Sequence, residues 1–330
     1  MDKFENIKSY NQKYTEGLEK SIKIVMPKLI EAFTNIYGRK HQNYIEYTLK
    51  NLKYVYFISE KYLEEFYLYK EHLSDEVVNT IEYYLEYLDY LNECANKVND
   101  DELELFVYKN YITKTDLNYE TLINYDFIVN LDNDVPQFIF TKLEDYIAKV
   151  VMLPIYIIDL KTIIHELNHA LYINLLCIMD EELIFSDMFT TIESEELIND
   201  YISELVFKEY LRIGGIIPEY LNRFKIGNEY EYNYELVKYL FDIFEPLILE
   251  SLISENHNIF IKLVGENNFN KLCNLIKILY LEEYNESKFK ELIELVDKMY
   301  DKADSTEIKR NETYIEEAES YGYQIRRLKK

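Results

Sequence analysis

Between residues 17 and 110 apolar side chains return every three or four positions, the step at which a helix gathers side chains on one face. In NYIEYTLKNLKYVYFISEKYLEEFYLYKEHL the series Ile45, Leu49, Leu52, Val55, Ile58, Tyr62 and Phe66 keeps that step throughout. A second run, SDEVVNTIEYYLEYLDYLNECANKV, opens on Ser74, whose hydroxyl can take a free backbone N–H. Asp75 and Glu76 follow in the first turn, where the helix dipole favours acids. These patterns predict a helical N-terminal region over residues 1–110, with the aromatic stripes as its core.

Residues 111–158 change character. LINYDFIVNLDNDVPQFIF mixes β-branched and aromatic residues with Asn, Asp and Pro punctuation, the mark of short strands and turns. VVMLPIYII is an apolar run that suits either a buried strand or the approach to a helix. The reading is a sheet of two to four strands within this segment and nowhere else. Asp159 then reads as the N-cap of a helix over residues 160–179, and a second helix spans 194–212 up to Gly214-Gly215. From Pro218 onward further helices follow, broken at Gly227, Gly265 and near residue 284. The expected fold is mainly α with a small β-sheet (α+β). A core over residues 111–215 would be flanked by helical regions 1–110 and 216–330, in one continuous body.

Composition narrows the function classes. With 34 tyrosines, no tryptophan and seven glycines, little is left for phosphate-cradling loops or tight hairpins. A formal charge of −25 argues against nucleic acid as a partner. The basic run Arg326-Arg327-Leu328-Lys329-Lys330 reads as a solvated end or a helix cap. Cys94, Cys177 and Cys273 lie far apart without a C-x-x-C pair, so neither a disulfide framework nor a cysteine-ligated metal is expected. The polar N-terminus has no signal core, and the apolar run over residues 150–158 is about half of a membrane span and contains Pro154. A cytoplasmic protein without membrane contact is the expectation.

The candidate chemistry sits in TIIHELNHAL, residues 162–171, in a chain with five histidines. Residues four apart on a helix lie one above the other, so His165 and His169 can offer imidazoles to one point. Zinc accepts imidazole nitrogen, and catalytic sites use three protein ligands with one position left open. Glu166 lies about a hundred degrees round the same turn, where it can serve as a general base. Ile163, Ile164, Leu167, Ala170 and Leu171 make the helix largely apolar, and buried imidazoles need such a partner. A carboxylate on a second helix would complete a His₂Glu set. The H-E-x-x-H-x-x-G-x-x-H extension is absent, which excludes the metzincin branch.

IIHELNHAL followed by EELINDYISEL resembles the gluzincin (thermolysin-like) zinc metallopeptidases, above all their small bacterial members with short helical bodies. The resemblance covers roughly residues 125–212. It implies that a downstream glutamate is the third ligand, and that an acid four positions further supports one of the zinc histidines. Carried over, the pair Glu196-x-x-x-Asp200 makes Glu196 the ligand and Asp200 the orienting carboxylate. Glu193, Glu195 and, more remotely, Glu204 remain alternatives, Glu195 pairing with Asn199 at the same spacing. On this helix Ile198, Ile202 and Leu205 centre an apolar face, and Glu196, Asn199, Asp200 and Ser203 form a polar strip. Phe207 and Leu211 carry apolar character round to that strip, so burial on most sides is expected.

The resemblance also implies an edge strand before the zinc helix on which an extended peptide lies, with residues 126–140 as the candidate; core sheet is the other reading. An oxyanion-stabilising side chain is left open among His257, Tyr210, Arg212, Tyr321 and Tyr323, while His41, His72 and His257 read as ordinary helix or turn residues. The histidine-bearing segment that follows the second motif in this family has no counterpart here. The function so implied is a zinc metallopeptidase with one Zn²⁺ per chain. It would hydrolyse peptide or protein substrates with zinc-activated water and Glu166 as base, basic and neutral peptides being favoured by the chain's negative charge. The alternative is a non-catalytic zinc-binding, regulatory or interaction module on the same scaffold.

Overall fold

The computed structural model describes residues 4, 6–68, 70–124, 137–142, 147–156, 158–179, 182–186, 188–222, 231–254, 259–281 and 285–306. The chain is mainly α with a small β-sheet. None of the described helices is long and apolar enough to cross a membrane. The basic tail, His257, the Gly227 break and most of the 126–140 stretch lie outside the described residues. Two compact units divide the chain, each built from separated segments.

The first unit takes residues 1–28, 48–167 and 214–227. Its sheet has the order β2-β1-β4-β3, from β1 (Lys53–Phe57), β2 (Ile112–Thr115), β3 (Gln137–Lys142) and β4 (Ile147–Pro154). β1 and β4 run parallel, with Lys53 opposite Val150 and Phe57 opposite Pro154, while β2 and β3 lie antiparallel at the two edges. Lys53–Phe57 falls inside a run whose step predicts helix, and the sheet therefore reaches outside residues 111–158. The reason is that KYVYF also alternates with period two. Val55 and Phe57 are buried with Ala148, Val150, Met152, Leu117 and Leu122, and helix α5 (Asp100–Tyr111) packs on that cluster through Val107, Tyr108 and Tyr111. Leu52 separates this strand from helix α2 (Gln42–Asn51). The Ser74 cap forms as read, accepting from the backbone N–H of Val77 at the head of α4 (Asp75–Ala95). Helix α1 (Ile7–Tyr37) adds Thr15, whose hydroxyl donates to Thr113 of β2 at 2.8 Å, and Glu19, which pairs with Lys114.

Between β4 and the next helix the chain turns through Tyr156, a non-glycine residue at φ 91°. Such a conformation costs free energy and persists only where surrounding contacts enforce it. Here the ring of Tyr156 stacks on Tyr84 at 3.5 Å between centroids and meets Tyr14 edge-on at 5.2 Å. Asp159 then caps helix α7 (Leu160–Tyr172), accepting from the backbone N–H of Thr162 at 2.8 Å and from its hydroxyl at 3.0 Å.

The second unit takes residues 29–47, 168–213 and 228–330. Helix α7 was expected to continue to Met179. It stops at Tyr172, and β5 (Asn174–Met179) pairs antiparallel with β6 (Glu182–Ser186) as a separate two-stranded sheet. NLLCIM and ELIFS are short apolar runs that fit a strand as well as a helix, and pairing between them settles the choice. Helix α8 (Ile192–Arg212) is capped by Thr191, whose hydroxyl accepts from the backbone N–H of Ser194, and ends before Gly214 at φ 83°. α8 packs on α9 (Glu231–Ile253) and α11 (Glu266–Leu281), with α10 (Ile259–Val264) and α12 (Glu286–Thr306) completing the helical layer. Aromatic pairs Tyr201–Phe241 and Phe244–Phe260 sit at 4.7 and 5.3 Å in this core.

An ion cluster ties the 39–41 turn to α9: Glu250 accepts from Nε2 of His41 at 2.9 Å and pairs with Lys40 at 2.8 Å. Burial raises the Glu250 carboxyl, but the hydrogen bonds from His41 and Lys40 outweigh it and hold the group below the ordinary 4.5. A carboxyl depressed in the folded state stabilises above the ordinary carboxylate range, and that contribution is lost as pH falls through the depressed value. Glu250→Gln is therefore expected to flatten the acid limb of the stability–pH curve, read by denaturant unfolding at a series of pH values.

Candidate metal centre

Helix α7 buries Ile163, Ile164, Leu167, Ala170 and Leu171 completely, which leaves the imidazole-bearing face as its only polar side. Glu166 (5 % exposed), Asn168 (0 %) and His169 (6 %) are also buried, and His165 is half-buried. Polar groups so placed cost several kcal/mol unless satisfied, by about 1–3 kcal/mol each. The observed partners account for much of this.

A chain of buried amides fixes α7 against α8. The Asn168 Oδ1 accepts from the Tyr37 hydroxyl at 2.6 Å, and its Nδ2 donates to Oδ1 of Asn199 at 2.6 Å. Tyr37 and Asn199 are themselves buried, so three polar groups from α1, α7 and α8 satisfy one another out of water. The Tyr44 hydroxyl donates to the carbonyl of Leu171 at 2.7 Å and holds the last turn of α7. On the other side of α8, Ser194 Oγ donates to the Cys273 carbonyl of α11 at 2.9 Å. These contacts fix the rotational phase of α8, and the polar strip read from sequence is divided: Asn199 and Ser203 are buried at 1 % and 4 % exposed, while Glu196 and Asp200 are partly exposed.

That phase sorts the competing glutamates of the first turn. Glu193 turns to Lys277 of α11, its Oε1 3.1 Å from Nζ. Glu195 lies behind His169, its Oε1 3.4 Å from Nδ1. Glu196 lies in front of it, its Oε1 3.5 Å from Nε2. His165, one turn earlier on α7, completes the group. Ligand atoms of His165, His169 and Glu196 fall within 4.8 Å of one another. A tetrahedral zinc with bonds of 2.0–2.1 Å needs donor atoms about 3.4 Å apart. The His169–Glu196 pair, at 3.5 Å, is close to that distance. The donors fit zinc chemically as well, being two imidazoles and one carboxylate. The side chain of Glu196 is 39 % exposed, so solvent reaches the centre from the α8 side.

Tyr172, the last residue of α7, was not picked out by the sequence. Its hydroxyl lies 2.7 Å from Nδ1 of His169 and donates to Oε1 of Glu195 at 3.1 Å. Burial first, then the charges of Glu195 and Glu196, push this phenol well above its ordinary value, so it keeps its proton. Asp200 stands one turn beyond Glu196, half-buried. Burial, followed by the charges of Asp200, Glu196 and Glu193, raises the hydroxyl of Tyr280 on α11, so an acidic field extends from the centre to that phenol. Among the side chains left open for the oxyanion role, Tyr210 is buried and Arg212 is bound to Glu209, its Nη2 2.6 Å from Oε1. Tyr321, Tyr323 and His257 lie outside the described residues. Of the candidate substrate strand, residues 137–140 are described, and they belong to β3 at the edge of the sheet. The signals for Tyr172 and Asn168 were present but unspecific: a tyrosine three residues after His169, and an amide inside an otherwise apolar helix.

No family model, no curated protein and no solved structure matches the chain.

Proposed function

We propose that the chain is a zinc-dependent metallopeptidase of the gluzincin kind, hydrolysing peptide bonds. The observation that carries this reading is the convergence of His165, His169 and Glu196 on one ion-sized space, with the buried carboxylate of Glu166 beside His165 on the same helix. When bound, the ion would supply Lewis acidity to water and to the substrate carbonyl. The two imidazoles and Glu196 would hold it. Glu166 accepts a proton from the attacking water as its oxygen bonds to the carbonyl carbon. Glu166 then returns that proton to the nitrogen as the C–N bond breaks. The amide chain Tyr37–Asn168–Asn199 keeps the two ligand-bearing helices in register, so that little reorganisation accompanies these steps. The formal charge of −25 favours basic and neutral peptides over acidic ones.

Elemental analysis of the purified protein is expected to find zinc at about one per chain. Anomalous scattering at the zinc edge is expected to place Glu196 in bonding distance. Glu196→Ala should weaken zinc binding by more than the roughly 10–100-fold that loss of a supporting partner costs, and Glu193→Ala should leave it unchanged. Absence of zinc, with equal melting temperature with and without chelator, would reject the reading. Zinc held by a fourth protein ligand, with no cleavage of any peptide, would favour the non-catalytic module instead.

A further inference from the structure

We propose that a three-sided tyrosine box in the first unit, made by Tyr14, Tyr156 and Tyr220, binds a small N-methylated ammonium ion of the choline type. The site is separate from the metal centre, and neither reading needs the other.

The box surrounds a cavity. Tyr14 and Leu18 of α1, Ile155, Tyr156 and Ile158 of the link between β4 and α7, and Tyr220 of the turn Glu219–Leu221 line it. Among the described residues this lining carries no charged side chain. The interior has room for about one water-sized group, and the empty space reaches about 230 Å³ with the open mouth included. Tyr14 stands across the other two rings. It meets Tyr156 at 75° with centroids 5.2 Å apart, and Tyr220 at 84° with centroids 5.9 Å apart. Perpendicular walls at these distances keep a group in the corner within about 6 Å of more than one ring centroid, the range over which a ring face attracts a cation.

Two features indicate that the box is built and not left over from packing. Tyr156 holds its ring there at φ 91°, a backbone conformation that a tyrosine adopts only under constraint and that gathers at functional sites. The ring is fixed by stacking on Tyr84 at 3.5 Å, and its buried hydroxyl makes no hydrogen bond in that arrangement, so the ring is placed by its faces. Gly17 lies inside α1, where glycine weakens a helix, yet a β-carbon there would overlap the ring of Tyr220. The glycine thus admits one wall of the box.

The lining selects the ligand. Ring faces are negative and disfavour anions. A bare ammonium would give up its hydration without a carboxylate to replace it. An N-methyl group spreads positive charge over an apolar surface, so it can enter the box dry and fit the small interior. The formal charge of −25 adds a long-range bias toward cations.

Titration calorimetry of the full chain tests the site with choline chloride and with dimethylbutanol, its neutral analogue carrying tert-butyl in place of trimethylammonium. Choline is expected to bind roughly tenfold or more tightly than the alcohol. Tyr156→Leu and Tyr220→Leu should each weaken choline roughly 2–30-fold, the loss of one ring–cation contact, while Tyr156→Phe and Tyr220→Phe, which keep the ring, should retain it. Gly17→Ala keeps all three rings but pushes Tyr220 aside, so it should weaken choline too and decides the matter if a leucine variant does not fold. No choline binding by wild type, equal affinity for the alcohol, or undiminished binding in the leucine and alanine variants overturns the site. Phosphatidylcholine vesicles should sediment without the protein; co-sedimentation that free choline abolishes would make the ligand a lipid head and overturn its assignment to a solute. None of these readouts involves zinc, so failure here leaves the metal reading standing, and the reverse holds.

Discussion

Glu166→Gln is expected to keep zinc at about one per chain and to cut peptide cleavage by roughly 10²–10⁴-fold. The two side chains have the same shape, so burial and packing inside α7 are retained, and the glutamine cannot accept the proton that the reaction must move. The experiment pairs elemental analysis with turnover of a mixed peptide library. If metal is retained and cleavage proceeds at the wild-type rate, Glu166 is not the base and the mechanism is wrong. If metal is lost, the substitution has disturbed the neighbouring His165, and Glu166→Asp, which keeps the charge on a shorter arm, separates the two effects.

The second large effect belongs to Asn168, which touches neither substrate nor ion in the proposed reaction. Asn168→Leu keeps the volume but removes both the acceptor for Tyr37 and the donor to Asn199. Each of the two buried groups that lose their partner costs about 1–3 kcal/mol, so a loss of roughly 2–6 kcal/mol in urea unfolding is expected. The loss should not be additive. Once Asn168 is leucine, Tyr37→Phe removes a group that has already lost this bond, and it should cost far less than in the wild-type background. A double-mutant cycle that comes out additive would show that the three side chains do not act as one chain. Zinc affinity should fall along with stability, because the same bonds set which glutamate of α8 faces His169.

The sequence carried the first motif clearly because its information is local. His165 and His169 are four apart on one helix, and nothing beyond that helix is needed to align them. The Asp159 cap and the Ser74 cap were legible for the same reason. Choosing among Glu193, Glu195 and Glu196 was harder, since all three sit within one turn. Their different partners, Lys277, Tyr172 and the His169 Nε2, depend on a rotational phase set by bonds from α8 to Asn168 and Cys273, at remote positions in the chain. The strands failed where two periods overlapped. Lys53–Phe57 satisfies the helical step of its surroundings and the alternation of a strand, and only pairing with β2 and β4 decides. In the same way, the apolar residues after Tyr172 extended a helix on paper that β5 and β6 take for themselves.

Between the two ligand-bearing helices lies the β5–β6 hairpin, closed on itself from Asn174 opposite Ser186 to Met179 opposite Glu182. A self-closed tether conveys almost nothing about its own length, since doubling a loop changes closure free energy by only about 0.6 kcal/mol. Evolutionary drift can lengthen or trim this tether freely, whereas shifting α8 by one residue would exchange Glu196 for a neighbour with another task. Distant kin of this protein should therefore share two rigid words separated by an elastic pause, and a search template with a fixed gap would pass over them.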